Sequence, residues 1–279
     1  MKTKANEPLV TMKRIIILLF LALTLPTLSH AQKGTQDTTV VKDSAKPAKR
    51  FYNTGQFLHE SFLFAKQPTV WKGADWLRLG AITAVAISVM PFDQHISTLT
   101  EGKQQYYYSI PIVAGRVYGE WYSIGTVTAA FAIYGIAKHD TAAKKISIEL
   151  LQSGVFAEAM TYVLKVGIGR ARPIAGLGPF FFKPGSFFNY DLNSMPSGHM
   201  TSAMALSTVM SRHARTTFLK ILAYAPAAFT LVSRIYQGQH WLSDEIMGGC
   251  FGYFAGVWVV NLHEGKKHKI LIPTSENPE

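Results

Sequence analysis

In the segment SRIYQGQHWLSD, Ser233 to Asp244, an arginine, a histidine and an aspartate fall within one short stretch of a largely apolar chain. His240 and Asp244 are four positions apart, a spacing that on a helix puts both on one face. Asp244 can then hold one ring nitrogen of His240 and leave the other unprotonated, aimed outward as a nucleophile. Arg234 supplies a fixed cation that forks onto phosphate oxygens. Taken alone, such a His–Asp pair is as readily a structural contact as a site.

Two more segments bear on that choice. In KVGIGRARP, Lys165 and Arg172 are seven apart, with Pro173 following. By itself this reads as a basic helix end before a proline stop. Its glycines make no dinucleotide fingerprint, because no strand precedes them. In NSMPSGHM, Pro196 suits the first turn of a helix. Ser197, Gly198 and His199 then present backbone N–H groups at a positive helix end, a natural phosphate cradle or an ordinary cap.

Together the three segments fix eleven residue types: Lys165, Arg172, Pro173, Pro196, Ser197, Gly198, His199, Ser233, Arg234, His240 and Asp244. Chance agreement at given spacings is about one in 10¹⁴ if each type occurs at roughly 1 in 20. The set resembles the type 2 phosphatidic acid phosphatase (PAP2) family, which shares its site with vanadium haloperoxidases and class A acid phosphatases. That pattern is Lys-x6-Arg-Pro, then Pro-Ser-Gly-His, then Ser-Arg-x5-His-x3-Asp, and every fixed position is met in order. The resemblance covers about residues 75–262. It implies an all-α, six-helix, membrane-embedded bundle and a phosphatase without metal or other cofactor. It also implies roles. His240 attacks phosphorus, Asp244 orients it, and His199 protonates the leaving oxygen and then activates water. Lys165, Arg172, Arg234, Ser197 and the Gly198 N–H hold the phosphoryl oxygens.

The elements that must position these residues are visible as six apolar helical stretches, roughly 76–92, 118–137, 143–167, 197–213, 217–235 and 242–262, parted by Gly/Pro clusters or charged turns. β-branched alternation of the strand kind is scarce, so the expected fold is all-α. Along the last stretch His240, Asp244, Gly248, Gly252 and Gly256 recur every fourth residue. Glycines on one ridge either admit another helix closely or merely fill space. Residues 51–75 hold scattered aromatics, an amphipathic entry segment to a domain spanning 76–262; residues 263–279 form a basic tail.

Charged residues are 16% of the chain, hydrophobic residues 48%, and the net charge is +11. So few charges mean a large buried fraction or a membrane setting. The positive charge suits an anionic partner. The basic residues do not gather into one tract, and no zinc-ligand or RNA-binding pattern appears, so a phosphate-bearing substrate or an anionic membrane surface is expected rather than nucleic acid. The lone cysteine, Cys250, excludes an intrachain disulfide and reads as a small core residue. Lys13 and Arg14 before IIILLFLALTLPTLS, then Ser29 and Ala31, read as a secretory signal over 1–31 cleaved before Gln32, with Met12 as an alternative start. A polar linker follows to Arg50.

If all six stretches cross a membrane, the side holding the linker and the loops around Lys144, Arg215 and Lys267 carries most of the lysines and arginines. The positive-inside rule then puts the motif loops at the periplasmic face of the inner membrane. A cleaved signal conflicts with that count, since three crossings from an external Gln32 bring the first motif inside. Glu149 and Glu158 fit a spanning helix only if they face the bundle interior. The expected activity is hydrolysis of a lipid phosphate: phosphatidate, a polyprenyl diphosphate or a lipid A phosphate. A soluble periplasmic acid phosphatase, a vanadate-dependent haloperoxidase and a non-catalytic scaffold or transporter are the alternatives.

Overall fold

A computed structural model describes residues 52, 54–100 and 104–265; the signal segment, the linker and all but the first three residues of the tail lie outside these. The described residues are mostly helical, with helices α1 (Thr54–Ala65), α2 (Gln67–Val70), α3 (Gly73–Thr98), α4 (Ile110–Gly119), α5 (Trp121–Ala137), α6 (Thr141–Ile168), α7 (Gly198–His213), α8 (Thr217–Leu222), α9 (Ala225–Tyr236) and α10 (Leu242–His263). The all-α expectation is met, and each apolar stretch falls on helix. Two stretches are interrupted. Glu120 takes an extended backbone (φ −73, ψ 146) that separates α4 from α5. Pro226, which has no N–H to donate, sits in the first turn of α9 and parts it from α8.

Local signals set the ends of the site-bearing helices. The Asp140 carboxylate caps α6 by accepting from the Ala142 and Ala143 N–H groups at 2.8 and 3.1 Å. α6 stops at Gly169, which has φ +62 and would place a Cβ 1.9 Å from the Lys183 carbonyl oxygen, so only glycine fits. α7 is capped by Ser197 Oγ, which accepts from the Met200 N–H at 3.3 Å. The Asp244 side chain caps α10 by accepting from the Trp241 N–H at 2.9 Å.

α10 packs most extensively on α7. The glycine ridge makes that seam a backbone contact. A Cβ on Gly248 would lie 2.3 Å from the Ser197 carbonyl oxygen, and one on Gly252 2.2 Å from that of Thr201. The ridge therefore admits a neighbour rather than filling space. It also clamps the start of α7, with Ser197 to His199, against the start of α10. Gly252→Ala is expected to cost about 1–3 kcal/mol by overpacking. Gly249→Ala meets only methionine side chains at 3.4 Å or more and serves as the comparison. A clear drop in the unfolding midpoint in detergent for the first alone is the expected result; equal midpoints would contradict a backbone-tight seam.

The core between α6, α7 and α10 is built from Leu150, Ala157, Leu206, Val209, Ala255 and Val260. Both acidic residues inside α6 face this interior. Glu158 accepts from Ser202 Oγ at 2.6 Å, and Glu149 pairs with His213 and lies 3.5 Å from His263 Nδ1. The entry segment docks at the end of α6 and α10 away from the motifs. There Phe64 stacks on Phe156 and meets Trp258 edge-on, while buried Glu60 accepts from Gln152 at 2.6 Å.

Among the described residues, three helical stretches suffice by length and composition to cross a membrane: 73–98, 217–236 and 242–263. Only 11% of the apolar window of α3 is covered by the rest of the described chain, and Leu77 is 74% exposed. Large apolar side chains bared along most of a long helix need a nonaqueous neighbour.

Candidate active site

The three motifs meet around one short piece of backbone, residues 193–194. Lys165, in the last turn of α6, donates from Nζ to the Asn193 carbonyl at 2.8 Å. Arg172, in the loop beyond α6, donates to the same carbonyl at 3.3 Å. The next carbonyl, that of Ser194, lies 2.8 Å from His240 Nδ1. An Arg172 terminal nitrogen stands 3.4 Å from His240 Nε2. The carbonyl can only accept, so the proton of a neutral His240 belongs on Nδ1, and Nε2 keeps its lone pair. Burial, then the charges of Arg172 and Lys165, push the His240 pKa well below the ordinary histidine value. The ring is neutral at pH 7.

The expected direct His240–Asp244 hydrogen bond is not made. α10 begins only at Leu242, and Trp241 before it is extended, so His240 does not share a helix face with Asp244. The nearest carboxylate oxygen is 3.9 Å from Nδ1. Asp244 instead accepts from Ser194 Oγ at 2.5 Å, from the Trp241 N–H, and from Arg170 at 2.7 Å. Its connection to His240 runs through Ser194, whose Oγ bonds Asp244 and whose carbonyl meets Nδ1.

Two smaller expectations also shift. Pro196 precedes the Ser197 cap and lies outside α7. The Ser197 N–H is spent on the Asp244 carbonyl at 3.0 Å. Gly198 and His199, the first residues of α7, keep the N–H groups of an open helix start. Ser233 ties α9 to α4 by donating to the Ile112 carbonyl at 2.7 Å.

His199 stands across from His240, with ring centroids 6.1 Å apart, and its Nε2 is 3.3 Å from Glu120 Oε1. Arg234, in the last turn of α9, is buried and donates to Gln237 Oε1 at 3.0 Å. His199, Glu120 and Arg234 open onto a cavity of about 360 Å³ that Tyr107, Arg116 and Tyr190 also line. The Tyr190 ring also lies 4.0 Å from the Arg172 guanidinium carbon. Every site residue read from the motifs is thus drawn to this end of the bundle.

Several residues were missed. Arg170 is fully buried and bridges Asp93 on α3, at 2.8 Å, to Asp244. Its one sequence signal is its place two residues before Arg172. Glu120 stands at a helix boundary that the apolar run conceals, and Arg116 lies just before that run.

A family model described as the PAP2 superfamily matches residues 147–267, a range containing all three motifs. Among curated proteins, a lipid A 1-phosphatase of Porphyromonas gingivalis is 35% identical over 75 residues, which is 25% of this chain and 17% of that protein. The matched stretch is therefore a small part of the relative's length. Two solved structures are similar at 19% identity. The crystal structure of Aquifex aeolicus LpxE has a TM-score of 0.34, covering 62% of this chain and 86% of the other. That of the first transmembrane PAP2-type phosphatidylglycerolphosphate phosphatase from Bacillus subtilis has a TM-score of 0.37, covering 77% and 97%. Neither superposition is close enough to transfer geometry.

Proposed function

We propose that this chain, whose residues 147–267 match the PAP2 superfamily model, is a membrane-embedded phosphatase that hydrolyses a lipid phosphate through a phosphohistidine on His240. The observation that carries the reading is the meeting of Lys165, Arg172 and His240 on the carbonyls of 193–194, with the Nε2 lone pair beside Arg172 and His199 across the gap. His240 Nε2 attacks phosphorus, and the bond to the leaving oxygen breaks as His199 gives that oxygen a proton. Water, deprotonated by His199, then attacks the phosphohistidine; the P–N bond breaks and phosphate leaves. Lys165, Arg172, Arg234 and the N–H groups at the start of α7 balance the phosphoryl charge, the task a metal performs elsewhere. Asp244, 3.9 Å from Nδ1, stabilises the imidazolium.

A lipid substrate is supported by the bared apolar helices and by the loop after Arg172. There Phe180 is 62% and Phe188 98% exposed beside the site. Of the PFFF phenylalanines, Phe180 is largely open and Phe181 and Phe182 are partly so, as groups that meet acyl chains would be. With all six apolar stretches crossing, loop charge bias supports a periplasm-facing site in the inner membrane. The test is a panel of phosphatidate, polyprenyl diphosphate and lipid A phosphate presented to detergent-purified protein. Phosphate release that persists with EDTA and stops with vanadate is expected. No release from any member would reject the reading, and full activity in a detergent-free extract would favour a soluble enzyme.

A further inference from the structure

Tyr190 belongs to none of the three motifs, yet it is folded against one of their cations. The loop after Arg172 returns to the site through the short 3₁₀ turn Tyr190–Leu192. There the Tyr190 carbonyl accepts from Arg172 Nε at 2.8 Å, and the guanidinium carbon lies over the ring, 4.0 Å from its centre. The Tyr190 hydroxyl donates to Gln239 Oε1. The same amide oxygen accepts from an Arg172 terminal nitrogen at 3.3 Å. Tyr190, Gln239 and Arg172 thus close a triangle of contacts, two of whose members line the cavity.

The kind of partner matters. Each side-chain hydrogen bond of Arg172 among the described residues goes to a neutral acceptor: the carbonyls of Tyr190, Asn193 and Gln239, the Gln239 amide and, at 3.4 Å, His240 Nε2. Arg170, two residues earlier, is by contrast tied to two carboxylates. A carboxylate on Arg172 would cancel the charge that a phosphoryl group needs. Carbonyls and an aromatic face hold a guanidinium and leave its charge whole. Hydrogen bonds along the edge of a guanidinium still let it tilt, and a ring beneath it opposes that tilt. Placement is demanding here, because Arg172 stands beside the nucleophilic nitrogen. Tyr190 is itself 59% exposed, so its ring adds little to the packing of the bundle.

We propose that Tyr190 is a positioning residue of the reaction, whose ring holds the Arg172 guanidinium where its terminal nitrogens meet the phosphoryl group arriving at His240 Nε2. This rests on the phosphatase reading above and adds to it a residue from outside the motifs. No proton passes through Tyr190. Its hydroxyl has the lesser part, keeping the Gln239 oxygen against Arg172, and its ring the greater.

The experiment uses orthovanadate, a phosphate-like anion, as inhibitor of whichever member of the lipid panel is hydrolysed fastest, with the full chain in detergent. Tyr190→Leu should raise the vanadate inhibition constant by about 3–30-fold, the span of cation–π contacts from exposed to desolvated settings. It should lower kcat/KM at least as much. Tyr190→Phe keeps the ring and should recover most of both losses. The unfolding midpoint should move in neither variant. Made on top of Arg172→Lys, whose ammonium lacks the fork that the ring and carbonyls hold, Tyr190→Leu should cost clearly less than in the wild type. Tyr190→Gln repeats the comparison should the leucine variant fold poorly. Unchanged inhibition in Tyr190→Leu, an equal loss in Tyr190→Phe, or the same loss on Arg172→Lys as on the wild type would overturn the proposal and leave the phosphatase reading intact. Phosphate from no member of the panel would sink that reading and this inference with it.

Discussion

His240→Ala is expected to reduce lipid-phosphate hydrolysis by about 10⁴-fold or more, the scale on which removing a nucleophile disables a group of residues that act together. The size follows from the division of labour in the site. In the proposed reaction His240, which is 1% exposed, makes the first new bond to phosphorus, while the cations around it hold charge but cannot attack. The fold should survive, because the ring's hydrogen-bond partners are one backbone carbonyl at 2.8 Å and a long 3.4 Å approach by Arg172. The same group sets the acid side of the pH profile. A nucleophilic imidazole works deprotonated, and burial with Arg172 and Lys165 holds its pKa well below 6.5. In the wild type the acid limb of kcat/KM should therefore be centred below pH 6.5, where His240 takes a proton. An acid limb centred at or above 6.5 would place the essential base elsewhere.

Arg170→Ala is expected to have the second largest effect, on stability and rate together. Arg170 is wholly buried, and its guanidinium divides between Asp93 at 2.8 Å and Asp244 at 2.7 Å. It also donates to Ser243 Oγ at 2.6 Å and to the Pro179 carbonyl at 2.8 Å. Truncation leaves two carboxylates buried with no cation between them. Breaking a buried ion pair this way costs about 3–5 kcal/mol. It also releases Asp244, and with it Ser194, whose carbonyl fixes His240 Nδ1. The unfolding midpoint in detergent should drop, and residual activity should fall by about 100-fold or more, as for other misplacements within a reacting group. Arg170→Lys should recover only part of each, since an ammonium cannot reach both carboxylates in the fork geometry. Wild-type midpoint and rate in Arg170→Ala would show that the Asp93–Arg170–Asp244 bridge positions nothing.

These two residues mark how far the sequence could be read. His240, His199, Lys165, Arg172 and Arg234 were legible because each sits at a fixed spacing within a short segment. The helices were legible because apolar runs ended at Gly169, at Asp140 and at the turn before Thr217. What stayed hidden depends on contacts between distant segments. Asp93 lies far back on α3, and nothing local distinguishes it from a solvated aspartate. Arg170 looked like one more basic residue at a helix end. Glu120 vanished inside an apolar run that its own extended backbone breaks, and Arg116 lay outside every motif and every apolar stretch. The i, i+4 argument for His240 and Asp244 chose the right residues and the wrong bond, because the helix starts two residues after the histidine. Spacing names the members of a site; only the packing of α3, α6 and α10 decides which carboxylate touches which ring.

The central claim is that His240 becomes covalently phosphorylated during turnover. Protein reacting with a lipid substrate labelled in the scissile phosphate should be quenched without acid, digested and mapped by mass spectrometry. Label on the peptide holding His240, absent in His240→Ala and lost on treatment with acid, is the predicted result. Steady turnover with no labelled protein, or label on any other residue, would contradict it.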